Sequence, residues 1–375
     1  MKDKIITFIL TTLIIGVLGV IGTLGYAVYK EISKEGRIEI SFESETGFPS
    51  IEFIRNEEKL NFTINNDIFE GVEGTTSVSS NSNINAKQSR FLYNQLSSTA
   101  KTIYDGMYNN KENLKTGTFK VEFGNYFHSL LSQENGDTEL KKEYQSAIEA
   151  LVYENPDIFY LDVTKMYINI EKITKITGTR YNVFIDNGNE PTYLSSGFYS
   201  KEDIENYENQ IEQDKEQIIS NIANKNSYEK IKTIHNYLID TIEYEDTITQ
   251  NHIYDIYGAL INKKSVCEGY AKTFQYLMNE IGIENTIVIG TGTNSRNQTE
   301  SHAWNYVKLN GEWYAVDVTW DDPIITGGGK LNNKARYKYF LKGSETMDEQ
   351  HIPSGKFTND GKIFEYPTLS IKNYE

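Results

Sequence analysis

A two-residue turn in the last third of the chain restricts how two strands can pair. Asn310-Gly311 separates two apolar-rich runs. An Asn-Gly pair in that setting is the strongest short-range signal for a β-hairpin with a type I′ turn. If the loop contains only these two residues, Leu309 pairs with Glu312, and the pairing extends outward to Trp304 opposite Asp317. The turn therefore predicts one strand register.

This register brings a histidine and a carboxylate together. Side chains alternate between the faces of a strand, and residues opposite each other in an antiparallel pair share a face. His302, Trp304 and Asp317 are therefore expected on one side of the hairpin. His302 and Asp317 become diagonal neighbours with backbones about 7–8 Å apart, a gap that an imidazole and a carboxylate can bridge. A slip of one residue would send them to opposite faces.

The single cysteine of the chain, Cys267, lies in a segment with helical periodicity. The pattern predicts a helix over 265–282 with one apolar face, formed by Tyr270, Phe274, Leu277, Met278 and Ile281. Ser265 and Glu268 have capping-box spacing, so Ser265 is the predicted N-cap, and Gly282 is the predicted end. Cys267 then lies in the first turn, where backbone N–H groups and the helix dipole favour a thiolate and could stabilise an oxyanion.

Cys267, His302 and Asp317 together supply the thiol, imidazole and carboxylate of an acyl-transfer triad. Without a second cysteine in the chain, Cys267 cannot form an internal disulfide. Taken singly, each residue has an ordinary structural interpretation: a small apolar core residue, a packed strand histidine and an edge charge. Their combination in ordered segments favours the catalytic interpretation, with Cys267 as nucleophile, His302 as base and Asp317 as the group that fixes the tautomer.

Three runs carry a resemblance to a known family: V-C-E-G-Y-A-K-x-F, S-H-A-W-N-x-V and G-E-W-Y-x-V-D-V-T-W-D-D-P. They resemble the transglutaminase-like superfamily, specifically its bacterial secreted or membrane-tethered members, which share a cysteine-protease core with papain. The resemblance is clear over 227–323 and looser at 155–160, 339–343 and 351–353. It implies an α+β fold, in which a helix bearing the cysteine packs on an antiparallel sheet bearing the histidine and aspartate.

Other site residues are less determined by the sequence. Candidates for a second oxyanion donor are Gln250, Tyr244, His252 and Tyr257, and the choice among them stays open. Trp304 and Trp320 are candidates for lining substrate access to the thioester, because aromatic walls exclude water. The alternative is that both tryptophans are core residues.

The N-terminus contains an apolar run that is long enough to span a membrane. Ile5 to Val28 is 24 residues without a charge. As a helix it would measure about 36 Å, against a hydrocarbon core of about 30 Å. We therefore predict an uncleaved anchor over 1–30, with cleavage after Gly25-Tyr26-Ala27 as the alternative. Lysines flank both ends, but the short N-terminal tail favours a single-pass protein of the cell membrane with its catalytic domain extracytoplasmic.

Charge and composition exclude several classes of partner. The chain has 53 acidic and 37 basic residues and a formal net charge of −16. Nucleic acids and anionic lipid headgroups bind clustered Lys and Arg, so neither is expected as a partner. Five scattered histidines and one cysteine show no zinc-ligand spacing, so we expect no metal and no cofactor.

The remaining chain is expected to contain three parts. Residues 37–85 alternate apolar and polar and then become rich in Gly, Ser, Thr and Asn, which predicts a short β-rich region and a linker. Residues 86–200 predict an α+β region that packs on the catalytic core or forms a separate substrate-selecting domain. The predicted transglutaminase-like catalytic domain occupies 201–370.

The expected reaction is amide chemistry through a thioester on Cys267. Water would give peptide hydrolysis, which we favour, or deamidation, and an amine would give a crosslink. The expected partner is a protein or peptide substrate, including cell-wall peptide. One rival hypothesis is a catalytically idle binding module for peptides or cell-wall material. Another is a structural envelope protein that acts through residues 37–200.

Overall fold

A computed structural model describes residues 37–42, 49–63, 90–175, 178–245, 247, 250–294, 297–322, 333–355 and 362–375. The predicted anchor at 1–30 and the linker that ends at residue 85 lie outside these ranges. Among the residues described, no helix is both long enough and apolar enough to cross a membrane. The anchor therefore stays a prediction from the sequence.

Helices and strands are mixed along the described chain, which confirms the α+β class. The strands are β1 Arg37–Phe42, β2 Pro49–Thr63, β3 Val121–Gly124, β4 Tyr167–Lys175, β5 Gly178–Asp186, β6 Glu243–Tyr244, β7 Lys264–Ser265, β8 Asn285–Thr293, β9 Thr299–Leu309, β10 Glu312–Val316 and β11 His351–Pro353. The α-helices are α1 Ser98–Asn109, α2 Lys111–Leu114, α3 His128–Leu131, α4 Gly136–Glu154, α5 Lys201–Ser220, α6 Ser227–Thr241, α7 Cys267–Glu280, α8 Asn333–Arg336 and α9 Ser344–Met347.

The chain divides into two compact units. The described part of the first comprises 37–42, 49–61, 123–134, 169–175 and 178–184. This unit holds most of a five-stranded sheet with the strand order β1-β2-β4-β5-β3. Tyr181 in β5 donates its hydroxyl to the carbonyl of Leu131 at 2.9 Å and its backbone N–H to Asn125 Oδ1 at 2.9 Å. These two bonds tie helix α3 and the turn before it to the sheet.

The second unit comprises the other described residues, within 62–122, 135–168 and 185–375. It contains a four-stranded antiparallel sheet in the order β10-β9-β8-β11. Helix α7 packs against β8 and β9, and Asn305 in β9 donates to the carbonyl of Ala271 in α7 at 3.0 Å. The expected arrangement, a cysteine-bearing helix on an antiparallel sheet, is confirmed.

The hairpin has the predicted register. Leu309 lies opposite Glu312, and pairing continues to Asn305 opposite Val316. Asn310 has φ 53° and Gly311 has φ 90°, so both turn residues adopt the left-handed conformation that a type I′ turn requires. Asn and Gly adopt this conformation more readily than other residues, which is why the turn forms here.

Helix α7 begins two residues later than predicted. Its apolar face is buried at Tyr270, Phe274, Leu277 and Met278, and burying each such side chain contributes about 1.5–3 kcal/mol. Gly282 has φ 69°, which confirms it as the residue that ends the helix.

The predicted N-cap, Ser265, is wrong. Ser265 belongs to strand β7, where it pairs with Tyr244, and its buried hydroxyl donates to the carbonyl of Ile253 at 2.8 Å. Because Ser265 pairs with β6 and its hydroxyl bonds Ile253, it does not cap the helix as the capping-box spacing predicted. The N-cap is Val266, whose side chain makes no capping bond. The first turn of α7 therefore keeps backbone N–H groups that no capping side chain satisfies.

The conformation of Gly311 predicts a defined cost of substitution. No heavy atom lies within 4 Å of the position that a Cβ on Gly311 would occupy, so substitution there adds backbone strain without a clash. We expect Gly311→Ala to lower the free energy of unfolding by about 1–2 kcal/mol. Gly311→Asn, the matched control, should cost less because Asn tolerates φ > 0. Urea denaturation measures both variants, and an unchanged stability in Gly311→Ala would contradict the type I′ assignment.

Candidate active site

The cysteine lies at the first residue of a helix. Cys267 is half-buried, so its thiol is accessible from outside the protein. It lies beside the uncapped backbone N–H groups of the first turn of α7, at the positive end of the helix dipole. The imidazole of His302 lies close enough to the thiol for the two side chains to interact, and this interaction raises the pKa of His302. The start of helix α7 and strand β9 therefore bring the predicted nucleophile and base close together.

The histidine is held by a buried carboxylate. His302 in β9 contacts Asp317, one residue beyond β10, with 2.7 Å between Nε2 and Oδ2. A carboxylate oxygen only accepts hydrogen bonds, so the ring must carry its proton at Nε2. This tautomer leaves Nδ1 for the contact with Cys267. The pairing follows from the hairpin register, which places the two residues on one face as the sequence predicts.

Asp317 is surrounded by donors. Its side chain is fully buried, and Oδ1 accepts from the backbone N–H of Trp320 at 3.0 Å. Oδ2 also lies 2.7 Å from Nε2 of a second histidine, His351 in β11. A buried carboxylate needs such partners, because an unpaired charge in the interior is costly. Three donors from separate segments therefore hold this one side chain.

Burial and charge shift the pKa values of His302 and Asp317 in opposite directions. Burial alone would lower the pKa of His302, but the charge and hydrogen bond of Asp317, followed by the contact with Cys267, outweigh it and raise the pKa to about 10. Burial alone would raise the pKa of Asp317, but the charge and hydrogen bond of His302 and the bond from His351 hold it well below its usual range. His302 and Asp317 form an ion pair at neutral pH.

The two tryptophans have different surroundings. Trp320 is half-buried and stacks on the His302 ring at 4.9 Å between centroids and 28° between planes. Trp304 is only 1 % exposed and belongs to an apolar cluster with Val288, Tyr306 and Ala315. Its burial favours the alternative of a core residue, and its role in lining substrate access stays a prediction. Trp320 stays a candidate for that role.

A glycine in the inner strand β8 leaves room for this cluster. Gly290 lies opposite His302 in the neighbouring strand β9, and Gly292 lies opposite His351 in the neighbouring strand β11. All four residues therefore belong to one face of the sheet. A Cβ on Gly292 would come within 2.8 Å of the Trp320 ring and 3.3 Å of His302 Cβ. Only glycine therefore allows the Trp320 ring to lie against this strand.

The sequence interpretation missed two buried histidine–carboxylate contacts. The first contact is that of His351, which the sequence shows only as one of five scattered histidines. The G-x-G pattern in β8 was the available signal, because a strand position without a side chain leaves room for a neighbouring ring. The second contact joins His235 in α6 to Asp321, with 3.0 Å between Nε2 and Oδ2. Burial lowers the pKa of His235 to about 3 and raises that of Asp321 to about 9, so this pair is neutral at pH 7.

The candidate oxyanion donors are dispersed. His252 bonds Asp255 through Nδ1 at 3.1 Å, and Tyr257 packs on Tyr207 with ring centroids 4.3 Å apart. Gln250 and His252 line a cavity next to the start of α7, and Tyr244 and Tyr257 are not among its lining residues. The choice of a second donor among the four candidates stays open.

His302, Asp317 and His351 also present three metal-ligand atoms within 4.8 Å of one another. Zinc binds such atoms at about 2.0–2.2 Å, which would hold tetrahedral ligands about 3.4 Å apart. The two nitrogen–oxygen distances are 2.7 Å, the length of charge-assisted hydrogen bonds. The donor set therefore fits hydrogen bonding better than a metal ion.

A cavity of about 540 Å³ lies at the start of α7 and is lined by Glu268, the residue after the cysteine. Its wall includes the C-terminal half of α4, the loop that follows it, residues 250–255 and the first turns of α7. Tyr153 and Tyr254 line it, and both lie near enough to Cys267 for its charge to help raise their pKa values, after the larger effect of burial. Glu268 and Lys272 form an ion pair of 2.6 Å at its edge. The cavity is large enough for a short peptide segment or side chain.

The part of the chain that carries the three triad residues is similar to a known superfamily. Residues 216–318, which include Cys267, His302 and Asp317, match the profile of the Transglutaminase-like superfamily. This segment is a transglutaminase-like domain. His351 lies outside the matched segment.

Two curated relatives and one solved structure are similar to parts of the chain. The Kyphoscoliosis peptidases of mouse (Mus musculus) and human (Homo sapiens) are each 28% identical over 139 residues, or 34% of this chain. The chain spans only 21% of the length of each relative. A crystal structure of a TGase is 18% identical with a TM-score of 0.29, and the alignment covers 46% of this chain and 48% of that one.

The ion pair in the transglutaminase-like domain predicts a pH-dependent stability. Folding raises the pKa of His302 from 6.5 to about 10, so the folded state holds a proton that the unfolded state releases. This contribution is fully present below pH 6.5 and is lost as the pH rises to 10. We expect the difference in stability between the wild type and His302→Gln, measured by urea denaturation, to shrink across this range.

His235→Gln is the matched control. His235 is also buried beside a carboxylate, but its pKa is lowered to about 3, so it is neutral in the folded state throughout the alkaline range. The difference between the wild type and this variant should stay nearly constant between pH 7.5 and 8.5, above the unfolded-state pKa of 6.5 and below the pKa of about 9 of its partner Asp321. If the difference in stability between the wild type and His302→Gln were equally independent of pH, the ion pair would be contradicted.

Proposed function

We propose that this protein is a thiol enzyme that acts on amide bonds through Cys267, His302 and Asp317. The observation that carries the proposal is the chain of contacts from a half-buried thiol at a helix start, through a tautomer-fixed imidazole, to a buried carboxylate. These groups are the nucleophile, the proton carrier and its orienting partner that acyl transfer requires.

The reaction follows from the proton positions. The Cys267 thiolate attacks the carbonyl carbon of an amide, and the imidazolium of His302 passes its proton to the nitrogen as the C–N bond breaks. The amine leaves, and the acyl group remains as a thioester on Cys267. Neutral His302 then takes a proton from water, whose oxygen attacks the thioester; the acid leaves, and the Cys267 thiolate and the His302 imidazolium are restored. Backbone N–H groups in the first turn of α7 are positioned to stabilise the oxyanion in both steps.

The cavity at the start of α7 is the proposed binding site for the substrate chain. Its walls combine aromatic rings, such as Tyr153 and Tyr254, with charged groups, such as Glu268 and Lys272. We favour peptide hydrolysis over transamidation and deamidation. The name of the curated relatives, Kyphoscoliosis peptidase, supports this preference, although it belongs to proteins that this chain matches over only part of their length.

We further propose that the domain acts outside the cell membrane, held by the apolar segment from Ile5 to Val28. The substrate would then be an envelope protein or a cell-wall peptide. No cofactor is required by the steps above, because the thiol and the imidazole supply the nucleophile and the proton.

Selective alkylation tests the nucleophile without knowledge of the substrate. Cys267 is the only cysteine, so iodoacetamide uptake, read by intact mass, reports this one thiol. At pH 6 we expect labelling about 100-fold faster than that of glutathione, because only a thiolate reacts and an ordinary thiol is almost fully protonated. His302→Ala should abolish the excess rate, and Cys267→Ala should remove labelling. A wild-type rate equal to that of glutathione would contradict an activated nucleophile.

The products identify the reaction. We expect the full chain, incubated with a peptide library and a labelled primary amine, to produce cleaved peptides that disappear with Cys267→Ala. A one-dalton gain on glutamine would indicate deamidation, and amine incorporation would indicate transamidation; either would overturn the preference for hydrolysis. Unchanged peptides that still bind the chain would instead support a catalytically idle binding module.

A further inference from the structure

Asp317 Oδ2 accepts hydrogen bonds from two histidines at once. Nε2 of His302 and Nε2 of His351 each lie 2.7 Å from this oxygen, and the two rings have centroids 5.6 Å apart. The three side chains are all buried. A triad needs only the first contact, so the second histidine requires its own explanation.

The sheet is built to bring the second histidine to the carboxylate. Strand β8 separates β9, which carries His302, from β11, which carries His351. Its two residues on the shared face between them are Gly290 and Gly292. A Cβ on Gly292 would come within 2.8 Å of the Trp320 ring, so this glycine lets Trp320 lie against β8, where it contacts both histidine rings.

The proton positions assign a role to His351. Because Asp317 can only accept, His351 must present an N–H at Nε2. Burial lowers the pKa of His351, so the ring is neutral near pH 7 and carries its only proton there. Its buried Nδ1 has no hydrogen-bond partner among the described residues. The His351 side chain is therefore a neutral hydrogen-bond donor. Among the described residues its ring has one hydrogen-bond partner, the carboxylate of Asp317.

We propose that His351 is a positioning residue for the reaction at Cys267. It holds the Asp317 carboxylate in place and keeps it ionised, and through Asp317 it orients His302. This proposal rests on the proposed function, since it assigns His351 to the same thiol chemistry. Its side chain bonds Asp317 and its ring lies 5.6 Å from that of His302, so its effect on the thiol passes through these two residues.

The surroundings of His351 contain few other charges. The charged or titratable groups that act on it are Asp317, His302 and Lys338. The other neighbours are aromatic: Trp304, Trp320 and Tyr339 have ring centroids 5.1, 4.4 and 5.2 Å from that of His351. Lys338 lies over the Tyr339 ring at 4.7 Å. A change at His351 should therefore act mainly on the ionisation of Asp317.

The test is the pH profile of iodoacetamide labelling of Cys267 in the full chain. His351→Leu removes the donor, so Asp317 takes up a proton more readily and releases its hold on the charged His302. We expect the acid limb of the profile to move up by about one pH unit, the scale of a hydrogen bond to a charged group. His351→Gln, whose amide N–H can replace Nε2–H, should return the limb toward its wild-type position.

The matched control is His235→Leu. It removes another buried histidine that bonds an acidic side chain, Asp321, and whose ring contacts among the described residues are Tyr337 and Phe340 and not His302. Loss of packing alone would lower stability in His351→Leu and His235→Leu alike and leave both acid limbs in place. Thermal unfolding monitored by circular dichroism shows that each variant is folded over the pH range used.

The outcomes separate this proposal from the proposed function. Fast wild-type labelling with an unshifted acid limb in folded His351→Leu would overturn the role of His351 and leave the triad intact. Failure of His351→Gln to restore the limb would also overturn it, because a donor alone would then not suffice. Wild-type labelling no faster than that of glutathione would overturn the proposed function, and the role of His351 with it.

Discussion

The candidate site depends on one buried carboxylate. Asp317 lies where an unpaired charge would be costly, and three donors from separate segments compensate for it: His302 in β9, the backbone N–H of Trp320 and His351 in β11. Each donor is held by the carboxylate that it stabilises. This mutual dependence fixes the tautomer of His302 and leaves Nδ1 to contact Cys267. The chemistry of the thiol is thus a consequence of how one aspartate is accommodated in the core.

The four-stranded sheet makes this accommodation possible. The inner strand β9 supplies His302 and the edge strand β11 supplies His351, while β8 between them carries Gly292, where a side chain would meet the Trp320 ring. Helix α7 packs on the same sheet and begins at Cys267 without a capping side chain. A helix start that lacks a cap costs some stability, but it leaves backbone N–H groups available to an oxyanion. Function and local stability are in competition at this residue.

The parts of the site that follow from local spacing could be predicted from the sequence. Asn310-Gly311 determines the hairpin register and hence the His302–Asp317 contact, because a turn acts only on the strands next to it. The Ser265 cap was wrong because strand β7 and a bond to Ile253 use that residue instead. His351 could not be placed, since the pairing of β11 with β8 joins segments more than fifty residues apart. Such long-range pairing leaves no local pattern.

The central claim is that Asp317 keeps His302 charged and oriented, and nitrogen-15 NMR of the histidine side chains tests it most directly. The full chain has five histidines, and the signals of His302 are assigned by their loss in His302→Gln. We expect the ring to remain an imidazolium through neutral pH and to lose its proton only near pH 10. In Asp317→Asn the same transition should fall by several pH units. A wild-type transition near the ordinary value of 6.5 would contradict the account.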